Sequence, residues 1–149
     1  MQMKILTKFL GEAEISEDSI IDFPEGILGF EDSKRFVLLD IPDNEVFKVM
    51  QDIDRQYVSF VVADPWRFVC DYEIDIPDEE LMKIDINKKE DIAIINIVTL
   101  SDDFEKSTIN LLAPVVMNIS CGKGKQYVLS EGTYSVKHPL YFHDEAQRC

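Results

Sequence analysis

Phe23-Pro24-Glu25-Gly26-Ile27-Leu28-Gly29-Phe30-Glu31-Asp32 packs turn chemistry and apolar bulk into ten residues, and the segments on either side take their sense from it. Pro24 fixes φ near the value required at position i+1 of a type I turn, and Gly26 falls where that turn prefers glycine. A strand arriving at Phe23 must therefore bend. Gly29 adds a second position open to positive φ, so Ile27, Leu28 and Phe30 lie on a contorted segment rather than in a regular strand or helix. The plainer reading of these apolar side chains is a plug over one end of a β core. The sharper reading is that part of the loop docks another protein.

Outward from this loop the chain reads as short strands and turns. Residues 4–9 and 12–15 are β-prone runs meeting at Gly11, and 19–23 is a third that stops at Pro24. Residues 35–40 and 46–51 flank Ile41-Pro42-Asp43-Asn44-Glu45, a cluster of turn formers, and read as a hairpin. Tyr57-Val58-Ser59-Phe60-Val61-Val62 is β-branched and aromatic throughout, as suits a strand covered on both sides. Residues 91–100 are too apolar on both faces for an edge and read as a central strand. Two further runs, 107–112 and 115–120, are separated by Ala113-Pro114, where the missing N–H predicts a kink or a strand switch. Cys121-Gly122-Lys123-Gly124 predicts a hairpin turn into a strand over 125–130; Glu131-Gly132-Thr133 turns the chain again, and a polar tail over 141–149 is expected to fray.

Helical signals are few. Asp64 can cap and Pro65 can take the first helical position, which predicts one turn over 63–68. Pro77 followed by Asp78, Glu79 and Glu80 predicts a short helix over 77–83, acids at its N-terminus as the helix dipole prefers. Between them Asp71-Tyr72-Glu73-Ile74-Asp75-Ile76 alternates acid and bulky apolar residue; if extended, it puts three carboxylates on one face and three apolar side chains on the other. The sum predicts an all-β fold: a single-domain β-barrel or barrel-like sandwich of short antiparallel strands over 1–149, with one or two short helical turns.

At 149 residues the chain can bury roughly 70% of the surface its unfolded form exposes, so no metal or disulfide staple is required. Three cysteines, Cys70, Cys121 and Cys149, are an odd number at wide spacing with only His138 and His143 beside them, which points to a reducing compartment and away from a zinc site. No signal-peptide h-region opens the chain and no apolar run reaches membrane-spanning length, so a cytoplasmic protein is expected. The 29 acidic residues against 15 basic give a formal charge of −14. Such a surface repels phosphate backbones and steers basic partners toward it, although acidity of this kind also serves plain solubility.

A search for chemistry finds none. There is no Gly-x-Ser-x-Gly elbow, phosphate-binding loop, dinucleotide fingerprint or His-Glu-x-x-His pair. Gly122-Lys123-Gly124-Lys125 is too short for phosphate-loop chemistry and reads as a plain hairpin. Nothing in the spacing brings a cysteine to a histidine, and acids are too numerous for a carboxylate pair to mean anything. No catalytic residue, metal ligand or cofactor is expected.

The ordered set of motifs resembles the FliW family of flagellar assembly factors. The matching residues are the ten from Phe23 to Asp32, then Phe60-Val61-Val62 with Asp64-Pro65, then Asp71-Tyr72. Further on come Ile97-Val98-Thr99, Asn110-Leu111-Leu112-Ala113-Pro114 with Asn118, Gln126, and Tyr134 leading to His138-Pro139-Leu140. One departure is Cys70, where the family pattern leads one to expect proline. The resemblance implies a binding protein rather than an enzyme, one that holds newly made flagellin in the cytoplasm. Freed when flagellin is exported, it then captures CsrA, a dimeric RNA-binding repressor of flagellin translation. It implies no membrane and no direct nucleic-acid contact, and a monomer is expected when the chain is free.

For the basic regulator the candidates are Asp71, Glu73, Asp75, Asp78, Glu79 and Glu80, six acids in ten residues with no intervening base; the alternative is a solvated edge whose acids deter aggregation. For flagellin they are Ile27, Leu28 and Phe30 with Trp66, which would be anchors if exposed and core if buried. Asn110 and Asn118 are expected to satisfy backbone groups around the kink at Pro114. Two other function classes stay open: an acidic β-barrel adaptor with different partners, and a small barrel enzyme with a cryptic site.

Overall fold

The computed structural model describes residues 1–129 and 134–140. The readings placed on 130–133 and 141–149, with His143 and Cys149, lie outside the described residues. In chain order the strands are β1 (Gln2–Leu6), β2 (Glu12–Ser16), β3 (Ile21–Asp22), β4 (Arg35–Ile41), β5 (Asn44–Asp52), β6 (Ser59–Ala63), β7 (Ile92–Thr99), β8 (Thr108–Ile109), β9 (Val115–Asn118), β10 (Lys123–Gln126) and β11 (His138–Pro139). One short helix, α1 (Asp78–Met82), falls between β6 and β7. Strands β3 to β7 are successive neighbours, β7 also pairs with β9, β9 with β10, and β10 returns to β3. The ring is thereby closed, all antiparallel except for the parallel Lys123–Asp22 contact between β10 and β3. The expected all-β, barrel-like architecture is what the chain adopts.

Alternation along the strands explains why so many of them are apolar on both faces. Inward residues Phe23, Phe36, Met50, Val62, Val115 and Met117 form the barrel interior, where the Phe23 and Phe36 rings meet edge to face at 5.4 Å. Outward residues are covered as well. The β1–β2 hairpin lays Ile5 and Ile15 against Val37 and Leu39 of β4. Ile84 and Ile86, which follow α1, cover Val116 of β9 beside Ile92 and Ile94 of β7. Phe68, Tyr72, Leu111 and Leu140 cover Phe47, Ala63 and Val98. Strand β7 is central, pairing with β6, β8 and β9.

Several boundaries differ from the sequence expectation for local reasons. β1 ends at Leu6 because the Thr7 hydroxyl donates to Gly11 O (2.6 Å) and accepts from Leu10 N–H (2.8 Å), which folds 7–11 into a loop. β3 is only two residues long because Glu17–Ser19 is a 3-10 turn capped by Ser16. The run 107–112 yields only β8, since Asn110 Oδ1 accepts the N–H groups of Leu112 and Ala113 (both 3.1 Å) and draws the chain out of the ladder. The last hairpin turns earlier than expected, so Lys123 and Gly124 already belong to β10. Gly124 stands over the Phe23 ring, where a Cβ would lie 2.6 Å from Cζ. Cys70 is disulfide-bonded, contrary to the expectation from the odd cysteine count, while Cys121 is free and exposed.

Candidate partner-binding surface

The loop after β3 forms two consecutive turns. Gly26 N–H donates to Phe23 O (2.9 Å), closing the turn that Pro24 begins; at φ +69 a Cβ on Gly26 would fall 2.6 Å from Glu31 O. Ile27 and Phe30 then face each other across a second turn, with Gly29 at φ +84 and Phe30 N–H donating to Ile27 O (2.6 Å). Leu28 is at the tip. Its N–H donates to Gln126 Oε1 (3.0 Å), and Gln126 Nε2 donates to Ala113 O (3.1 Å), so β10 holds the tip in place.

This geometry sorts the apolar candidates. Ile27 is 1% exposed and packs with the barrel interior, so it is core and the reading as a partner anchor is corrected; the turn through Gly26 aims it inward. Leu28 is 55% and Phe30 44% exposed, although one edge of Phe30 rests on Phe60 at 5.2 Å between ring centroids. The loop is therefore a plug through Ile27 and an exposed apolar tip through Leu28 and Phe30.

The acidic candidates lie on a strap over the outside of the barrel. β6 stops at Ala63, Asp64 Oδ1 accepts from Trp66 N–H (2.9 Å) and the 3-10 turn Pro65–Arg67 carries the chain away, as the cap and proline predict. Asp71 lies in a turn that Tyr72 N–H closes onto Val69 O (3.2 Å), residues 72–76 join no ladder, and the alternation over 71–76 is expressed as burial: Asp71, Glu73 and Asp75 are exposed, while Tyr72 is buried and Ile74 and Ile76 are half-buried. Tyr72 pins the strap. Its hydroxyl donates to Leu111 O (2.5 Å) and accepts from Asn96 Nδ2 (3.2 Å), while its carbonyl accepts from Trp66 Nε1 (2.9 Å). Glu73 N–H donates to the Tyr134 hydroxyl (2.8 Å). Burial pushes the Tyr72 phenol up to about 12, so it is a neutral donor at any physiological pH.

Asp78 and Glu79, in the first turn of α1, are exposed. Glu80 is not: its carboxylate sits 3.0 Å from Lys83 Nζ and 3.9 Å from Lys125 Nζ. Lys125 also meets Glu25 at 2.8 Å and holds the Glu25 carboxyl below its ordinary value, so this one lysine ties the glycine loop to α1. Spacing could not reveal it, because Glu25 and Lys125 are brought together only by the β3–β10 contact. None of Asp71, Glu73, Asp75, Asp78 and Glu79 has a cation at ion-pair distance among the described residues.

Trp66 is 39% exposed and lies with the acids. With Ile74, Ile76, Leu81, Ile92 and Ile94 it lines a groove of about 570 Å³ to which Asp75, Asp78 and Lys89 bring charge. The two asparagines do what the kink requires of them: Asn110 caps as described above, and Asn118 Nδ2 donates to Ile84 O (2.9 Å) and Asp85 O (3.1 Å). Among the described residues no group of three or more His, Cys, Asp or Glu is placed to hold a metal, and no helix is long and apolar enough to cross a membrane.

Among the described residues this strapped all-β barrel presents an apolar loop tip, a run of carboxylates with no cation paired to them and a groove with apolar lining, and no metal-binding cluster; its class is that of small closed β-barrels with a covering strap. The family model described as FliW protein matches residues 4–140. The flagellar assembly factor FliW of Clostridium novyi (strain NT) is 40% identical over 139 residues, 93% of this chain and 97% of that one. That of Oceanobacillus iheyensis is 39% identical over 133 residues, 89% of this chain and 90% of that one. A solved structure, the crystal structure of the flagellar assembly factor FliW, superimposes with a TM-score of 0.88 at 37% identity, covering 96% of this chain and 99% of that one. The chain belongs to the FliW family of flagellar assembly factors.

Proposed function

We propose that this protein acts in the cytoplasm by occupying other proteins: it holds flagellin, and when free of flagellin it binds a CsrA-type RNA-binding regulator and relieves repression of flagellin translation. The observation that carries the regulator half is the strap, five exposed carboxylates from Asp71 to Glu79 with no cation paired to them among the described residues. A basic RNA binder is steered toward such a field while its RNA is repelled. Antagonism then needs only negative charge placed beside the RNA site, or a bias on the regulator's conformation. Leu28 and Phe30 are the anchors for flagellin, rigid on a loop fixed by Gln126 and Lys125.

The test is charge reversal of Glu73, Asp75 and Glu79 to lysine, with Leu28→Asp as its counterpart. The first variant is expected to lose CsrA binding, and with it the salt sensitivity of that binding, while retaining flagellin; the second reverses the pattern. Equal loss of both partners in either variant, with an unchanged circular dichroism spectrum, refutes the division of surfaces. Gel shift of a CsrA and RNA complex, with this protein added and flagellin present or absent, tests the partner switch itself.

A further inference from the structure

The barrel ladder leaves one strand edge open beside the groove. Ile119 N–H donates to Asp91 O (2.9 Å), which makes the adjoining Ile92–Asn118 pair a non-hydrogen-bonded one and turns the peptide groups of Ala93 and Ile95 toward β9. Those of Ile92 and Ile94 therefore point to the opposite edge. There β6 pairs with β7 only at residues 96–98, because the chain leaves the sheet at Asp64-Pro65. Ile92 N–H is taken by Lys89 O in the preceding 3-10 turn. The N–H and C=O of Ile94, and the C=O of Ile92, have no partner among the described residues.

We propose that this open edge of β7 is a docking site where an extended, lysine- or arginine-bearing segment of a partner protein is added as a strand. One residue of that segment exchanges both of its peptide hydrogen bonds with Ile94, and its apolar side chain enters the groove over Ile92 and Ile94. Its flanking cations meet Asp75 and Asp78, which have no cation paired to them among the described residues and outnumber Lys89, the one lysine lining the groove, so the local charge favours a basic over an acidic segment. Strand edges are normally paired, covered or blunted; here the free peptide groups, the apolar lining and the two aspartates converge on one occupant. The inference deepens the acidic-strap half of the proposed function, and its test uses neither natural partner, so the two can fail separately.

The probe is a fluorescent peptide, acetyl-Lys-Lys-Val-Ile-Val-Lys-Lys-amide, titrated into the full chain with amide hydrogen exchange followed in parallel. Binding is expected, weakened at least tenfold when the three central residues are N-methylated and at least fivefold by the exposed double substitution Asp75→Lys with Asp78→Lys. The Ile94 amide is expected to exchange fast in the free chain and to become protected when the peptide binds. Equal affinity for the N-methylated peptide, which marks mere charge attraction, overturns the proposal. So does failure of the peptide to bind, an unchanged Ile94 amide, or protection of that amide in the free chain or in a self-associated dimer.

Discussion

Gly124→Ala is the sharpest test of the closed barrel, because the ordinary expectation for such a change has the opposite sign. Replacing a strand glycine by alanine usually stabilises by about 0.5–1 kcal/mol, since the unfolded chain loses freedom. Gly124 is paired with Met117 in β10 and its α-carbon faces inward. A Cβ there would stand 2.6 Å from Phe23 Cζ and 2.7 Å from Cε2, against an ordinary carbon–carbon contact of roughly 3.5–4 Å. The ring would have to retreat by about 1 Å. It has nowhere to go: Phe23 is fully buried and its ring is edge-on to Phe36 at 5.4 Å. Overpacking of this kind costs about 1–3 kcal/mol, outweighs the entropic gain, and lowers the melting temperature by roughly 2–10 °C in a domain of this size. Urea unfolding followed by circular dichroism measures it, and Phe23→Leu in the same chain should recover part of the loss. A Gly124→Ala protein as stable as the parent, or more so, refutes the packing of β10 over Phe23 and with it the closure through β3.

Three further outcomes follow from named contacts. Tyr72→Phe leaves Leu111 O and Asn96 Nδ2 short of a buried partner and should cost about 1–3 kcal/mol by urea unfolding. The raised Tyr72 pKa favours folding fully below the unfolded tyrosine value near 10, and that contribution is lost as pH rises through about 12; absorbance titration should show one phenol ionising late, absent in Tyr72→Phe. The Glu25 carboxyl is held low chiefly by its hydrogen bond from Lys125, so its contribution is present above the unfolded carboxylate value and lost as pH falls through the folded one. Melting temperature scanned from pH 7 to pH 3 should therefore fall less steeply in Lys125→Met than in the parent, by an amount within the roughly 1 kcal/mol of an exposed pair. Gly26→Ala should displace the Leu28 tip as well as destabilise, because its Cβ meets backbone rather than a movable side chain; on the proposed function, loss of flagellin binding under conditions where circular dichroism shows the variant still folded is the readout.

How much of this was legible in the sequence follows from what each feature depends on. Turns governed by one residue were readable: Gly26 at the end of the Pro24 turn, Asp64 as a cap, and Pro77 before α1 all act locally. The apolar run over 91–100 correctly announced a central strand, while the run from Tyr57 became strand only from Ser59, with Tyr57 itself exposed before it; the acid–apolar alternation over 71–76 correctly announced an exposed and a buried face. What failed was non-local. Ile27 is core because the fold brings it into one cluster with Phe36, Met50 and Val115 of distant strands, and composition cannot tell a plug from an anchor. The place of Gly124 in β10 depends on Phe23, a hundred residues earlier, and so does the shortened hairpin turn. Trp66 was grouped with Leu28 as an aromatic anchor, yet the departure of β6 from the sheet puts it in the lining of the groove beside Asp75 and Asp78.

Carboxylates without an ion pair among the described residues occur over much of the surface, Glu17, Asp18, Glu45, Asp102 and Asp103 among them, but the strap gathers five of them between Asp71 and Glu79. Most of the ion pairs stand off the strap: Arg35 with Asp54, Lys48 with Asp40, Lys123 with Asp85, and Lys125 with Glu25. At the far end of α1, Lys83 and Lys125 neutralise Glu80. Among the described residues the acids from Asp71 to Glu79 meet no cation; Tyr72, Ile74 and Ile76 pack against the barrel, which turns the intervening acids outward. Among the described residues a covering segment that joins no ladder is held chiefly by side chains, Tyr72 and the Trp66 and Tyr134 contacts around it, with the disulfide-bonded Cys70 just before it. Its position is therefore more open to change by an occupant of the groove than that of any barrel strand. An occupant that levers Ile74 or Ile76 from β7 would move the carboxylates with them, so groove and charge act on a partner as one device.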